Sequence, residues 1–353
     1  MSRVFITGMG VISAIGKTVE ENLEQLRKGQ TGIGSAQHLQ SNYASVFPFG
    51  EVKATNEELA KLSNQSAAKL GRTDLLAMIA FNEAIANAGL NQEALSSFET
   101  ALISASTVGG MSDADTLYAD IQANTGSSGY LETYSYDAHA TNIMKVHKMR
   151  GFTATINTAC SSSANAIMMG ARLIKSGRAK RAIVGGSDSI GKFTVNGFNA
   201  LRILSENKCM PFDNDRSGLT LGEGSAYLVL EGEDEAINKT KYAEVTGYGN
   251  TNDAYHPSSI SPEAVGVIKA MKEAMKSAKI TPSQVDYINA HGTGTENNDD
   301  AEAKGIVSIF GTAPPFNSTK SYTGHTLAAA GAIEAIYSVL SINNGELYPS
   351  LQF

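Results

Sequence analysis

Cysteine is scarce in this chain: 353 residues hold only two thiols, Cys160 and Cys209. Two are too few for a disulfide framework, which argues for a reducing cytoplasm. Long apolar runs are missing as well, and no stretch approaches the roughly 20 residues that span a bilayer. Met1-Ser2-Arg3 passes straight into the strand-like Val4-Phe5-Ile6, so no signal peptide and no membrane partner are expected. Positive charge is in deficit. The 28 Lys and Arg against 35 Asp and Glu leave a net charge of -7, which disfavours nucleic acid as a main partner. What remains, 42% hydrophobic and 18% charged, is a soluble globular chain long enough to bury a large core in two or more lobes.

Within that frame Cys160 stands out. It follows the β-branched stretch Ile156-Asn157-Thr158-Ala159 and precedes a helix rich in small residues, Ala164, Ala166, Gly170 and Ala171. A thiol at a strand-to-helix turn faces the helix N-terminus, whose partial positive charge favours thiolate. His291, in Asn289-Ala290-His291-Gly292-Thr293-Gly294-Thr295, and His325, at the end of Ser318-Thr319-Lys320-Ser321-Tyr322-Thr323-Gly324-His325, occupy similar Gly- and Thr-rich loops. Taken singly, Cys160 reads equally as a small buried hydrophobe and each histidine as a hydrogen-bonded structural imidazole. Three such loops together point to nucleophilic catalysis. Cys209, in the polar run Ser205 to Cys209, reads as incidental.

Helical spacing over 74–90 followed by the strand 100–104 is repeated by a helix over 262–280 and a strand over 285–289. The Cys160 loop and its helix, ending at Lys175-Ser176-Gly177, likewise match the His325 loop and the helix 328–342. This order predicts an α/β fold with a duplicated αβαβα layered core and buried small-residue helices, divided into halves at 1–235 and 236–353. The first half continues into the strand 182–185. The duplicate is expected to lack its closing strand within residues 1–353.

Thr7-Gly8-Met9-Gly10-Val11, the Thr158–Ser162 turn, Pro211-Phe212-Asp213 leading to Gly222-Glu223-Gly224, His291 to Thr295, and Lys320 to His325 together resemble the β-ketoacyl-acyl-carrier-protein synthases, end to end and in order. The resemblance implies a thiolase-like fold and the Cys-His-His site of the elongating type I and II enzymes. It further implies acyl transfer to Cys160, decarboxylation of a malonyl-carrier thioester assisted by His291 and His325, and release of a β-ketoacyl carrier. Neither metal nor organic cofactor is implied. Lys320 and Glu334 match a charged pair near the site, Glu302 a buried acid, and Thr293 and Thr295 a pair that hydrogen-bonds the phosphopantetheine arm. Val108 and Phe198 match positions lining the acyl pocket; Arg202, with Lys69 and Arg72, matches carrier docking. The acids Asp299, Asp300 and Glu302 lack a credible ligand set for a metal. The partners implied are acyl carrier protein and a second subunit, either a copy of the chain or a chain-length factor.

Two departures accompany the resemblance. The segment 122–137 carries Glu132 and Asp137 but no Lys or Arg, where many bacterial relatives carry a basic pair. The family's Gly-rich segment after a point like Phe353, which supplies an oxyanion N–H, is absent from the sequence. Three other readings stay open: a non-catalytic chain-length-factor-like partner subunit, a dinucleotide-binding enzyme suggested by Gly8-Met9-Gly10, whose third glycine position holds Ser13, and a cysteine hydrolase, separable by testing thioester hydrolysis against condensation.

Overall fold

The first strand, β1 (Val4–Ile12), is buried along its whole length and runs well past the Val4–Ile6 stretch visible in the sequence. Gly8 and Gly10 lie inside it. A Cβ on Gly8 would stand 2.6 Å from the Ala84 carbonyl oxygen, and one on Gly10 2.1 Å from that of Ala80. Both carbonyls belong to helix α1 (Arg72–Asn87), so the glycines let the helix backbone lie directly on the strand. The dinucleotide reading is thereby overturned: this glycine pair packs a helix and makes no phosphate-binding turn.

The computed structural model describes residues 3–66, 70–123, 131–256 and 259–352. Its main sheet joins β1, β2 (Thr100–Ala105), β3 (Thr153–Ile156), β4 (Arg181–Asp188), β5 (Gly224–Gly232) and β6 (Ala243–Glu244) in the order β3-β2-β4-β5-β1-β6. β2 runs parallel to β3 and β4, and β5 antiparallel to β4 and β1. Alternate residues of each strand serve opposite faces. Leu102, Ile183, Tyr227 and Val229 pack with Leu75, Leu76 and Phe81 of α1. Ile103, Val184, Leu228 and Leu230 pack with Ala166 and Ala171 of α2 (Ser162–Lys175).

Beyond α2 come α3 (Lys192–Ala200), α4 (Val265–Ala278), α5 (Glu296–Phe310) and α6 (Ala330–Asn344). The second half repeats the first in part: α4 precedes β7 (Ile288–Asn289) as α1 precedes β2, and β7 pairs in parallel with β8 (Phe316–Asn317) as β2 does with β3. The strand expected over 285–289 is thus shorter. Among the described residues no strand follows α6, and counterparts of β4 and β5 are not seen.

Helices α2 and α6 are the buried small-residue pair. They cross so closely that a Cβ on Gly331 would lie 2.9 Å from the Ala164 backbone nitrogen and 2.9 Å from its Cβ. Gly331→Val should force the helices apart and lower stability by about 1–3 kcal/mol, read from the denaturation midpoint.

Candidate active site

Cys160 stands where β3 has ended and α2 begins. The residue before it, Ala159, has φ +54°, a left-handed conformation that a side chain rarely adopts. Hydrogen bonds over-determine that turn. Ser162 Oγ donates to the Ala159 carbonyl at 2.6 Å and accepts from Thr158 N at 2.8 Å, while Asn165 Nδ2 donates to Thr158 Oγ1 at 2.9 Å. Cys160 itself remains partly exposed.

His325 reaches it from the loop before α6, with Nε2 3.0 Å from Cys160 Sγ. Leu327 N donates to His325 Nδ1 at 3.0 Å, which assigns the ring hydrogen to Nε2. His291 follows β7, and its ring meets that of His325 edge to face at 5.3 Å between centroids. Lys320 Nζ lies 3.3 Å from His291 Nδ1 and donates to the His291 carbonyl at 2.6 Å, so here too Nε2 carries the hydrogen. One ligand-type atom from each of Cys160, His291 and His325 falls within 4.8 Å of the others, a spacing that would suit a metal. Donors facing both Nδ1 atoms make the imidazoles N–H donors at Nε2, where metal ligation needs a lone pair.

Both imidazoles stay neutral. Burial, then the Lys320 ammonium, then His325 hold His291 well below the usual histidine range. Burial and Lys320 bring His325 down to about 3. Cys160 differs from expectation: burial pushes its thiol up, reinforced by Glu334 and Asp188 and opposed by Lys320, so the helix terminus does not by itself hold a resting thiolate.

Lys320, 1% exposed, is ion-paired with Glu334, which places that pair beneath His291. Glu302, in the second turn of α5, accepts from His291 N at 2.7 Å and Gly292 N at 2.8 Å. Asp299, one turn earlier, accepts from Thr293 N at 2.9 Å, Gly294 N at 3.1 Å and Phe212 N at 2.8 Å. These acids brace the His291 loop. Asp299's role was not read from the sequence, although an acid in the first turn of a helix after a Gly-rich loop is its signal. Thr293 and Thr295 bond each other through their hydroxyls at 2.9 Å, and Thr295 precedes α5.

Val108 is buried in an apolar cluster with Ile190, Val195 and Leu327, and Phe198 packs against it, which brings both expected pocket residues to the His325 turn. Arg202 is exposed and Lys69 lies outside the described residues. Arg72 is a correction. Its guanidinium is buried, paired with Glu223 at 2.6 Å and donating to the Val52 and Ala54 carbonyls at 2.9 Å each, so it has no free surface for docking. Arg72→Ala should cost about 3–5 kcal/mol by leaving Glu223 unpaired, while carrier affinity of the folded protein stays unchanged by titration. Cys209 is also deeper than its polar neighbours suggested. Burial lifts its thiol to about 12, and Sγ lies 3.6 Å from the Thr293 carbonyl oxygen under the His291 loop. Glu132, in the acidic 122–137 segment, pairs with Lys145 at 3.4 Å.

The family models "Beta-ketoacyl synthase, N-terminal domain" and "Beta-ketoacyl synthase, C-terminal domain" match residues 1–236 and 242–353. The chain belongs to the β-ketoacyl synthases. Among its relatives, 3-oxoacyl-[acyl-carrier-protein] synthase 2 of Staphylococcus aureus (strain COL) is 34% identical over 363 residues, covering 99% of this chain and 87% of the relative. Among solved structures, the ishigamide ketosynthase/chain length factor superposes with a TM-score of 0.92 at 31% identity, covering 99% of this chain and 88% of that one. The ketosynthase ApeO in complex with its chain length factor ApeC, from Xenorhabdus doucetiae, gives 0.84 at 32% identity and covers 99% and 87%. This β-ketoacyl synthase therefore has the thiolase-like duplicated fold and is an acyltransferase of the condensing, chain-elongating class.

Proposed function

We propose that Cys160, His291 and His325 carry out a two-stage condensation on acyl carrier protein, and the placement of the His325 Nε2–H 3.0 Å from Sγ is the observation that carries this reading. In the first stage the Cys160 sulfur attacks the acyl thioester. A new thioester forms on Cys160, the old C–S bond breaks, and the thiol proton leaves with the carrier thiol. In the second, a malonyl thioester loses carbon dioxide, and the electron pair of the broken C–C bond passes into an enolate. The two neutral Nε2–H groups donate to the enolate oxygen as its charge develops. The enolate carbon then attacks the acyl carbonyl and expels the Cys160 thiolate, which takes up one proton. The product is a β-ketoacyl carrier two carbons longer, and the sequence of steps uses neither metal nor organic cofactor.

Lys320 keeps His291 neutral and its Nδ1 occupied, and Glu334 balances the buried ammonium. Thr293 and Thr295 are assigned to the phosphopantetheine arm, Val108 and Phe198 to the acyl pocket, and Arg202, with Lys69, to the acidic carrier. The intact nucleophile and both histidines favour the catalytic subunit over a chain-length-factor role. The test is a condensation assay with acyl carriers of graded length and mass detection of the product; carriers returned unchanged would refute the reading.

A pH consequence follows from the lowered histidines. Decarboxylation should stay flat from about pH 8 down to about pH 5, without the inflection near 6.5 that an imidazole changing charge at its ordinary pKa would give. Stability behaves differently, because the unfolded chain binds protons on these histidines below about pH 6.5 and the folded chain does not. Their contribution is therefore full above that pH and declines as pH falls towards the folded values. A decarboxylation rate with an inflection of either sign near pH 6.5, measured by labelled carbon dioxide release, would count against imidazoles that stay neutral.

Localisation is proposed as cytoplasmic, on the two unpaired thiols; among the described residues no helix is long and apolar enough to cross a membrane. For assembly, β3 is an edge strand paired on one side only among the described residues, and all four of its residues are partly exposed. Such an edge is a template for a second subunit, here a copy of the chain or a chain-length factor. Light scattering at micromolar concentration should give twice the chain mass; a monomer would exclude the homodimer.

A further inference from the structure

Asp188 is the last residue of β4 and is completely buried, yet among the described residues it has no ion-pair partner. Neutral donors satisfy it instead. Oδ1 accepts from Ser106 Oγ at 2.6 Å, Thr107 N at 3.1 Å and Val108 N at 3.2 Å. Oδ2 accepts from Thr107 Oγ1 at 2.6 Å, Thr107 N at 3.1 Å and Ala328 N at 2.9 Å. All but the last come from the loop after β2. The Ala328 bond comes from the turn after His325, so one carboxylate ties the two loops together.

That turn is strained. Leu327 has φ +53°, unfavourable for a branched side chain, and its N–H is the donor that fixes the His325 ring. The next residue along, Ala328, is held by Asp188. A turn released from that bond is free to relax, and relaxation takes the Leu327 N–H away from Nδ1. We propose that Asp188 is a positioning residue for His325: by holding Ala328 N it keeps the Leu327 turn strained, the Nε2–H tautomer enforced and the ring aimed at Cys160. Because the same carboxylate holds Thr107 N and Val108 N, it also fixes the wall of the apolar cluster that contains Val108 and Leu327.

The function of the enforced tautomer rests on the proposed reading of His325, so the test has two independent readouts. In Asp188→Asn an amide N–H group must face an existing N–H donor, Ala328 N in one orientation or Val108 N in the other, and the clamp is weakened. With folding checked by circular dichroism, kcat for malonyl-carrier decarboxylation should fall about tenfold or more while KM stays within about twofold. Acyl loading of Cys160, read by intact mass, should change by less than about threefold. The ring 15N shifts of His325, assigned with His325→Ala, should move from a single Nε2–H form to a mixture of tautomers. Thr107→Val covers the case in which Asp188→Asn does not fold, since it removes one hydroxyl donor and leaves the carboxylate. It should lower decarboxylation about two- to fivefold with the same sparing of KM. Unchanged decarboxylation together with an unmoved His325 ring signal, in whichever variant folds, overturns the positioning role, even if the melting temperature drops. If His325→Ala itself decarboxylates normally, the enolate-donor reading fails and the ring 15N signal alone decides for or against Asp188.

Discussion

Cys160→Ala should abolish acyl loading and condensation together, leaving a protein of normal fold. The substitution removes the sulfur without touching the Ser162 and Asn165 bonds that hold the turn, so the loss is chemical rather than structural. Intact-mass measurement of the wild-type chain after exposure to an acyl carrier should show one adduct, mapped by peptide to Cys160. Cys209 provides the internal control. Burial lifts its thiol to about 12, far from a reactive thiolate, so a Cys209→Ser variant should load normally. An adduct on Cys209, or equal loading without Cys160, would sink the assignment. Since burial also raises the Cys160 thiol, loading should quicken as pH rises above neutrality, where more of the sulfur is ionised.

Loss of either enolate donor is the second large effect. His291→Ala and His325→Ala should each depress malonyl decarboxylation about 10²-fold or more, the scale on which a single oxyanion donor contributes in a water-poor site. The two variants should separate in the other half-reaction. His291 contacts Lys320, whereas His325 sits on the sulfur, so acyl loading should survive His291→Ala and weaken modestly in His325→Ala. Labelled carbon dioxide release measured beside acyl loading distinguishes the steps. Release at the wild-type rate in both variants would remove the imidazoles from the mechanism.

The site was legible where its residues sit at chain punctuation. Cys160 follows a β-branched run, and both histidines lie in Gly- and Thr-rich loops, so local pattern located the groups that the fold then gathers. Partnerships across long sequence separations were not legible. Arg72 looks like a surface cation until Glu223, 151 residues away, is seen to take its guanidinium. Asp188 gives no local signal either, because its donors lie on two loops that only the sheet and α6 bring together. The Cys160 thiol was misjudged for a related reason: a helix N-terminus is visible in sequence, but desolvation depends on everything packed around the sulfur. Gly8 and Gly10 misled differently. The same glycines that permit a phosphate to approach a backbone permit a helix to do so, and the sequence carries no mark of which will.

The crossing of α2 and α6 at Gly331 and Ala164 bears on more than stability. Cys160 lies four residues before one contact point and His325 six before the other, so helix separation sets the separation of sulfur and imidazole. Alanine and glycine there act as a ruler whose unit is a methyl group. A substitution that widens the crossing by a few tenths of an ångström touches no substrate, yet it draws the His325 donor away from the sulfur it faces at 3.0 Å, and with it from the enolate that forms there. Variants at these interior positions that still fold should therefore behave kinetically as active-site variants.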